Sequence, residues 1–598
     1  MHYVSTRDSS RRLTASQAIV EGLSRDGGLY LPESIPQLTL ADIRALARLS
    51  YPERAAKIMK LYLEEFSEEE LLGFAQKAYG PAKFDTPAAA PVVQLADNTY
   101  IQELWHGPTC AFKDMALQML PYLLTASLKK TGEEKTVCIL VATSGDTGKA
   151  ALEGFRDVDR TKILVFYPDG GVSEIQKLQM VTQEGRNVGV CAVRGNFDDA
   201  QTGVKRIFSD AQLRETLASR GYFLSSANSI NWGRVLPQIV YYVSSYCDLL
   251  ASGTIEEGQT VNVCVPTGNF GNILAAWYAK QVGVPIERLL CASNRNNVLT
   301  DFFADGTYYT HRAFFQTMSP SMDILISSNL ERLLFESTGR DPALVREWMA
   351  LLSSEGGSFS IGAQRLKELK KTFWAGYADD FMTAAEIRRI FERFHYLMDP
   401  HTAVASYALK QYREETGDHT PAVILSTASP YKFSESVLAS LQGEDAVKGM
   451  DAFQCAQKLE ELSGVPVPRQ IRELETLPIR HKRVCEVSGM EDALMEEWKR
   501  TSRCGIAQII QTDLPRRPLR ERKLHVISLH RTADDPVAHL AGRADHHLPV
   551  LVQEGQIFRK IQPKAGHGGG MGFPHISEPD SVPGSRDGHK AITPGQLQ

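Results

Sequence analysis

The chain has 598 residues, of which 43% are hydrophobic and 23% charged, a length that corresponds to roughly three to four globular domains. The formal net charge of -5 is small for this length, which argues against nucleic acid or an acidic membrane surface as partner. Nine cysteines lie singly between Cys110 and Cys504, a pattern that predicts neither a disulfide framework nor a metal site. We therefore expect a cytoplasmic protein with a small-molecule ligand.

Residues 1–80 are predicted to form a small N-terminal domain that is mostly helical. Apolar residues recur there at spacings of three and four in segments 16–23, 43–49 and 55–63. The first residues lack the apolar stretch of a secretion signal, and we expect no membrane span along the chain. The stretch 81–91, rich in proline and small residues, is predicted to link this domain to the next.

Residues 81–498 are predicted to form an α/β region with two subdomains and sheets that are mainly parallel. Short apolar runs alternate there with helical patterns, which is typical of a parallel sheet covered by helices on both faces. The expected buried strands are 137–142, 162–167, 261–265, 289–293 and 422–427. A charged stretch at 356–397 is predicted to be a helical insertion, and residues 499–598 an appended, largely irregular or disordered tail.

One lysine, Lys113, lies in a turn rich in small residues, between His106 and an apolar helical pattern at 115–124. Partial burial near a helix start disfavours the ammonium form, so such a lysine can attack an aldehyde. The alternative is an exposed turn lysine with Asp114 as an ordinary acidic residue at a helix start. This segment alone leaves both interpretations open.

Two glycine-rich turns follow predicted strands and open predicted helices. Backbone N–H groups of the turn 266–272 and the following helix would converge on one anion, such as a cofactor phosphate. A plain strand-to-helix turn is the alternative. The turn 143–148 adds hydroxyl groups and suits a carboxylate or a second phosphate, whereas a P-loop would need a glycine at Thr143 and a hydroxyl residue at Ala150.

Several blocks in order resemble threonine synthase, a fold type II pyridoxal-phosphate enzyme similar to the tryptophan synthase beta subunit. The resemblance extends from the N-terminus to about residue 498. Its blocks are Ser5-Thr-Arg, Asp26-Gly-Gly-Leu-Tyr-Leu-Pro, His106-Gly-Pro-Thr-Cys-Ala-Phe-Lys-Asp, Thr143-Ser-Gly-Asp-Thr-Gly, Ser226-Ala-Asn-Ser-Ile-Asn-Trp-Gly-Arg, Pro266-Thr-Gly-Asn-Phe-Gly-Asn, Asp399-Pro-His-Thr and Ser426-Thr-Ala-Ser-Pro-Tyr-Lys-Phe.

The resemblance implies a role for each matching residue. Lys113 would hold pyridoxal 5'-phosphate as a Schiff base, and the Thr427 hydroxyl would meet the pyridine nitrogen. The cofactor phosphate would be bound by Gly268, Asn269, Phe270, Gly271 and Asn272. The substrate would be bound by Thr143, Ser144, Gly145, Asp146 and Thr147 through its carboxylate, and by Asn228, Ser229, Asn231 and Arg234 through its phosphate. No metal is implied, and the protein would be a monomer or homodimer.

The implied activity is that of a carbon–oxygen lyase acting on phosphates, which converts O-phospho-L-homoserine and water to L-threonine and phosphate. Ser429 and Tyr431 depart from the family pattern, where His and a small residue are expected. These departures leave two alternatives open. One is a threonine-synthase-like phospho-lyase that yields a 2-ketoacid, and the other is a non-catalytic paralogue that binds a ligand.

Overall fold

A computed structural model describes residues 1–497 as an α/β fold with two main sheets. The predicted tail, residues 499–598, lies outside the described residues. The strands are β1 Tyr3–Ser5, β2 Tyr30–Pro32, β3 Val92–Ala96, β4 Thr99–Glu103, β5 Thr136–Ala142, β6 Thr161–Pro168, β7 Val188–Arg194, β8 Tyr222–Ser226, β9 Val261–Pro266, β10 Ile286–Ser293, β11 Thr307–Tyr309, β12 Ser358–Ser360, β13 Phe373–Tyr377, β14 Ala422–Ser426 and β15 Arg483–Glu486.

Helices connect these strands and cover the sheets. They are α1 Ala15–Glu21, α2 Leu40–Leu46, α3 Tyr51–Tyr62, α4 Glu68–Ala78, α5 Asp114–Leu117, α6 Leu120–Thr131, α7 Asp146–Phe155, α8 Glu174–Val181, α9 Phe197–Ser209, α10 Ala211–Ser219, α11 Trp232–Ala251, α12 Gly271–Val282, α13 Val298–Asp305, α14 Leu330–Ser337, α15 Pro342–Leu352, α16 Ala363–Leu369, α17 Asp380–Phe394, α18 Pro400–Thr416, α19 Ser434–Gln442, α20 Ala452–Ser463 and α21 Arg469–Arg472. Within residues 1–497, no helix is long and apolar enough to cross a membrane.

The two main sheets confirm the predicted parallel-rich α/β class. The first has the order β15-β7-β6-β5-β8, with all strands parallel. The second has the order β13-β10-β9-β14-β4-β3, in which only the β3–β4 pair is antiparallel. Central strands such as β5 and β9 are apolar almost throughout because helices cover both of their faces.

The segment 356–397 contains more than the predicted helices. It includes α16 and α17, but β13 lies between them and pairs with β10 at the edge of the six-stranded sheet. The segment is therefore part of the second sheet. Its charge lies on exposed helix faces, as expected for helices that cover a sheet edge.

The N-terminal residues pack into the same apolar core as the α/β region. Trp232 at the start of α11 is fully buried, and its ring lies 5.9 Å from that of Tyr3, 5.8 Å from that of Tyr62 and 5.2 Å from that of Tyr278. Aromatic side chains contribute a large buried apolar area and favour such tilted contacts. Trp232 thus joins the N-terminal helices to the helix that leads away from the site.

We expect Trp232→Ala to lower the free energy of unfolding by about 3–5 kcal/mol, because three aromatic partners would border the cavity left behind. Urea unfolding followed by circular dichroism measures this change. Leu351→Ala, at a side chain that is 44% exposed, is the control and should change stability by less than about 0.5 kcal/mol. Equal losses in the two variants would contradict a structural role for the aromatic cluster.

Candidate active site

A cavity lies where strands β5, β9 and β14 end, next to the turn that carries Lys113. In folds with parallel sheets, ligands bind at these carboxyl ends, where loops from several strands meet. The residues that line it are Phe112, Lys113, Ala142, Thr143, Ser144, Thr147, Phe197, Asn228, Ser229, Arg234, Gln238, Pro266, Thr267, Gly268, Asn269, Phe270, Gly271, Asn272, Ser321, Met322, Ile324, His401 and Thr427. The structure therefore brings together most of the residues singled out in the sequence.

The turn that carries Lys113 is held by the buried carboxylate of Asp114. That carboxylate accepts hydrogen bonds from the amide and the hydroxyl of Thr109, at 2.8 and 2.7 Å. Gly107 is required there, because a Cβ at this position would lie 2.6 Å from Asp114. The Phe112 amide donates to the carbonyl of Thr427 at 2.8 Å, which fixes the turn beside the end of β14.

Lys113 is 8% exposed, which excludes the exposed turn lysine considered above. Its Nζ lies 3.3 Å from Oδ2 of Asp146. Burial lowers the pKa of the Lys113 amine; Asp146 opposes this shift, whereas the positive charges of Arg234 and Lys432 add to it. A lowered pKa favours the unprotonated amine, which is the form that acts as nucleophile or base.

The loop after β9 presents backbone and amide donors to the cavity. Phe270 has φ of 61°, which turns the chain so that α12 begins at Gly271 with the unpaired amides of its first turn at the cavity. Asn272 Oδ1 accepts hydrogen bonds from the hydroxyls of Tyr241 and Tyr242, while its buried Nδ2 has no partner. Such unpaired donors suit an anion such as phosphate.

Gly268 allows close approach between this loop and residues 321–324. A Cβ at Gly268 would lie 2.9 Å from the carbonyl oxygen of Ser321 and 3.1 Å from Ile324. We expect Gly268→Ala to cost about 1–3 kcal/mol in cofactor binding, which is a rise in Kd of roughly 5- to 150-fold. Absorbance titration with pyridoxal phosphate measures the change, and Gly73→Ala, where a Cβ meets nothing within 4 Å, is the control. An unchanged Kd would show that the loop adjusts without loss.

Some residues of the turn after β5 line the cavity, and others hold the turn in place. Thr143, Ser144 and Thr147 line the cavity, but the Thr143 hydroxyl accepts from the amides of Gly145 and Gly148 at 3.0 and 2.8 Å. Gly145 has φ of 130° and packs against a glutamine side chain. Neither Gly145 nor Asp146 lines the cavity, and Asp146 instead contacts Lys113 from behind.

Arg234 places a buried guanidinium group in the wall of the cavity. It is 5% exposed, donates to the Ala227 carbonyl at 3.0 Å and to the Thr147 hydroxyl at 3.3 Å, and its Nε has no partner. Burial lowers its pKa to about 10. Within residues 1–497 no carboxylate forms an ion pair with it, so a structural ion pair does not account for its charge there.

Asn228 and Ser229 line the cavity beside Arg234, but Asn231 does not. Asn231 donates to the carbonyls of Ile19 and Ser226, each at 3.1 Å, and accepts from the Gly233 amide at 2.9 Å as the N-cap of α11. The side chain is thus fully used in joining α1 to α11. A helix cap and a ligand-binding asparagine look alike in sequence.

Three polar residues at the site received no role from the sequence. His401 lines the cavity, with its Nδ1 2.7 Å from Asp399 and its Nε2 accepting the Ser321 amide at 3.2 Å. The Ser321 hydroxyl donates to Asp146 Oδ2 at 3.2 Å, and Lys432 Nζ lies 2.7 Å from Asp146 Oδ1. The blocks Asp399-Pro-His-Thr and Ser426 to Phe433 were the available signals for His401 and Lys432.

Comparison with known proteins agrees with this geometry. Family models match residues 2–79 (threonine synthase N terminus), 84–428 (pyridoxal-phosphate dependent enzyme) and 402–493 (threonine synthase, C-terminal). Threonine synthase of Pseudomonas aeruginosa is 40% identical over 73% of this chain and 90% of its own length. The crystal structure of pyridoxal-phosphate-bound threonine synthase from Brucella melitensis is 38% identical, with a TM-score of 0.72 over 83% of this chain and 99% of that one.

Human threonine synthase-like 1 is also 40% identical, over 74% of this chain and 61% of its own length. The chain thus spans about three fifths of that relative.

The fold and the lysine-centred cavity define a pyridoxal-phosphate dependent enzyme of fold type II. Within this class, the chain belongs to the threonine synthase family.

The residues of the cavity fit this cofactor. A buried amine at Lys113 suits its aldehyde, and the unpaired Nδ2 of Asn272, with the first turn of α12, suits its phosphate. Gly268 and Gly271 leave space that a Cβ would fill, since one at Gly271 would lie 3.1 Å from Ser229. Thr427 lines the same cavity at the end of β14.

Proposed function

We propose that the protein is a carbon–oxygen lyase that converts O-phospho-L-homoserine and water to L-threonine and phosphate. The observation that carries this proposal is Arg234, a buried cation with an unpartnered Nε in the cavity that also contains Lys113. A buried charge without an acidic partner is costly unless a ligand compensates it. A phosphorylated amino acid supplies that charge, and the relatives named threonine synthase support this choice.

In this proposal, different residues of the cavity wall bind the cofactor and the substrate. Gly268–Asn272 would hold the cofactor phosphate, Thr427 would be the hydrogen-bonding partner of the pyridine ring, and Ser144 with Thr147 would hold the substrate carboxylate. Arg234, beside Asn228 and Ser229, binds the substrate phosphate, because a guanidinium matches phosphate oxygens in a bidentate geometry. Thr143 and Gly145 shape the turn, and Asn231 supports α11 from outside the cavity.

Pyridoxal phosphate, when bound, supplies a ring that withdraws electrons and so acidifies the proton on the substrate Cα. Lys113 is the base that removes this proton, because its amine is buried and its pKa is lowered. The same amine can return a proton to Cα when product forms. A second proton, on Cβ, must also be lost before the Cγ–O bond breaks, and Lys113 is the nearby base available for it. Arg234 binds the phosphate as it leaves Cγ, which stabilises the developing negative charge.

A phospho-lyase that eliminates phosphate and forms a 2-ketoacid is the second candidate. It is favoured by the departures at Ser429 and Tyr431, since the Tyr431 side chain is buried and its hydroxyl donates to the carbonyl of Val465. These residues lie two and four positions after Thr427, and neither lines the cavity. A change in this segment would act on the substrate through the position of Thr427, before water adds at Cβ.

Product analysis separates these candidates. The purified full chain is mixed with O-phospho-L-homoserine, and phosphate and amino-acid products are followed together. Threonine formed one for one with phosphate, and lost in Lys113→Ala, is the expected result. Phosphate accompanied only by 2-oxobutanoate would replace the proposal with the phospho-lyase. A folded protein that stays colourless after dialysis against pyridoxal phosphate would instead indicate a non-catalytic paralogue.

We also propose a functional division into an N-terminal domain of residues 1–80 and a catalytic region of residues 81–498. We place the enzyme in the cytoplasm as a monomer or homodimer. The eight cysteines within residues 1–497 are free thiols, which is typical of a reducing compartment. The net charge of -5 likewise supports a small-molecule substrate in preference to nucleic acid.

A further inference from the structure

A second lysine, Lys432, lies fully buried behind the cavity. Its Nζ is 2.7 Å from Oδ1 of Asp146 and donates to the Thr109 carbonyl at 3.0 Å. The short helix Pro430–Phe433 holds its backbone, and the Lys432 carbonyl accepts a hydrogen bond from the Ser173 hydroxyl at 2.9 Å. The side chain therefore has a fixed position and no contact with solvent.

Asp146 connects the two lysines through different oxygens. Oδ1 contacts Lys432 at 2.7 Å and accepts from Gln176 Nε2 at 2.8 Å, whereas Oδ2 contacts Lys113 at 3.3 Å and accepts from Ser321 at 3.2 Å. Lys432 thus forms the shorter ion pair. The Asp146 carboxylate is therefore paired mainly with Lys432, which does not line the cavity.

The charges of this cluster favour an uncharged Lys113. One carboxylate lies between two lysines, and the positive charge of Arg234 also acts on Lys113. Burial raises the pKa of Asp146, but the nearby positive charges, of which the Lys432 ammonium contributes most, outweigh it and hold that pKa below its usual range. When Lys432 compensates Asp146, a second ammonium at Lys113 gains little attraction and still loses its hydration.

We propose that Lys432 is a positioning residue, which pairs with Asp146 so that Lys113 remains an unprotonated amine able to bind the cofactor and move protons. Without Lys432, Asp146 would be free to pair with Lys113 and stabilise its ammonium form. The roles of Lys113 in this statement follow from the proposed function. Lys432 does not line the cavity, so it acts on Lys113 through its pairing with Asp146 and through its own positive charge.

The test measures cofactor attachment as a function of pH. The full chain is freed of cofactor with hydroxylamine and mixed with pyridoxal phosphate. The Lys113 nitrogen forms a C=N bond with the aldehyde carbon with loss of water, and borohydride then adds hydride to give a secondary amine that peptide mapping quantifies. Only the unprotonated amine reacts, so the pH midpoint of the attachment rate reports the pKa of Lys113.

We expect Lys432→Met to raise this midpoint by about one pH unit or more, because Asp146 then pairs with Lys113. Lys432→Arg, which keeps the charge, should shift it less. An unchanged midpoint in a folded Lys432→Met variant would overturn the proposal. Because the assay contains no substrate, an incorrect assignment of O-phospho-L-homoserine would not affect its outcome.

A second comparison is available if Lys432→Met alone does not fold. Lys432→Gln is then the test variant, because its amide can still donate to the Thr109 carbonyl while the positive charge beside Asp146 is lost. Its midpoint should rise for the same reason, since Asp146 is left to pair with Lys113. An unchanged midpoint in a folded Lys432→Gln variant would overturn the proposal.

Discussion

Replacing Lys113 with alanine is expected to lower turnover of O-phospho-L-homoserine by at least about 10³-fold, because one amine serves both to hold the cofactor and to transfer protons at Cα. The variant should also lose the visible absorption that the attached cofactor gives the wild-type protein. Phosphate release and absorbance spectra measure the two effects. The site geometry predicts that both are lost together.

Lys83→Ala is the matched control for this change, since Lys83 is a partly exposed lysine that does not line the cavity. It should keep both turnover and absorption. Full activity in Lys113→Ala would remove Lys113 from the mechanism. Loss of activity with retained absorption would mean that a group other than Lys113 attaches the cofactor.

The central strands could be predicted from the sequence because burial on both faces leaves a continuous apolar run. Residues 137–142 and 261–265 match β5 and β9 within one residue at each end. The edge strands β13 and β15 could not be predicted in this way. Both are partly exposed, and β15 has the sequence Arg-Val-Cys-Glu, whose short polar pattern also fits a loop.

The site could be predicted where its residues occupy turns next to strands. Lys113, the turn 143–147 and the loop 268–272 follow that rule, and the topology brings them together. His401, Ser321 and Lys432 converge only through tertiary packing between distant segments. Asn231 was assigned to the substrate by its neighbours in sequence, although its amide is used to cap α11 and hold α1.

Replacing Arg234 with leucine is expected to lower kcat/KM for O-phospho-L-homoserine by about 10- to 100-fold, because a charge-assisted hydrogen bond contributes about 1.5–3 kcal/mol. The loss should appear in both KM and kcat, because Arg234 binds the substrate phosphate and stabilises it as it leaves, and competition by inorganic phosphate should weaken in parallel. Cofactor absorption should remain, since Lys113 and the loop 268–272 are unchanged. Initial rates at a series of substrate and phosphate concentrations measure kcat, KM and the competition by phosphate, and absorbance spectra check the cofactor.

Two further variants decide whether the phosphate is what Arg234 binds. Arg234→Lys keeps the positive charge without the planar fork, and should therefore recover part of the affinity for inorganic phosphate. Arg214→Leu, at an exposed position on α10, should leave all values unchanged. If Arg234→Leu kept the wild-type affinity for inorganic phosphate while losing activity, Arg234 would support the turn at Thr147 instead. The substrate phosphate would then have to bind elsewhere in the cavity.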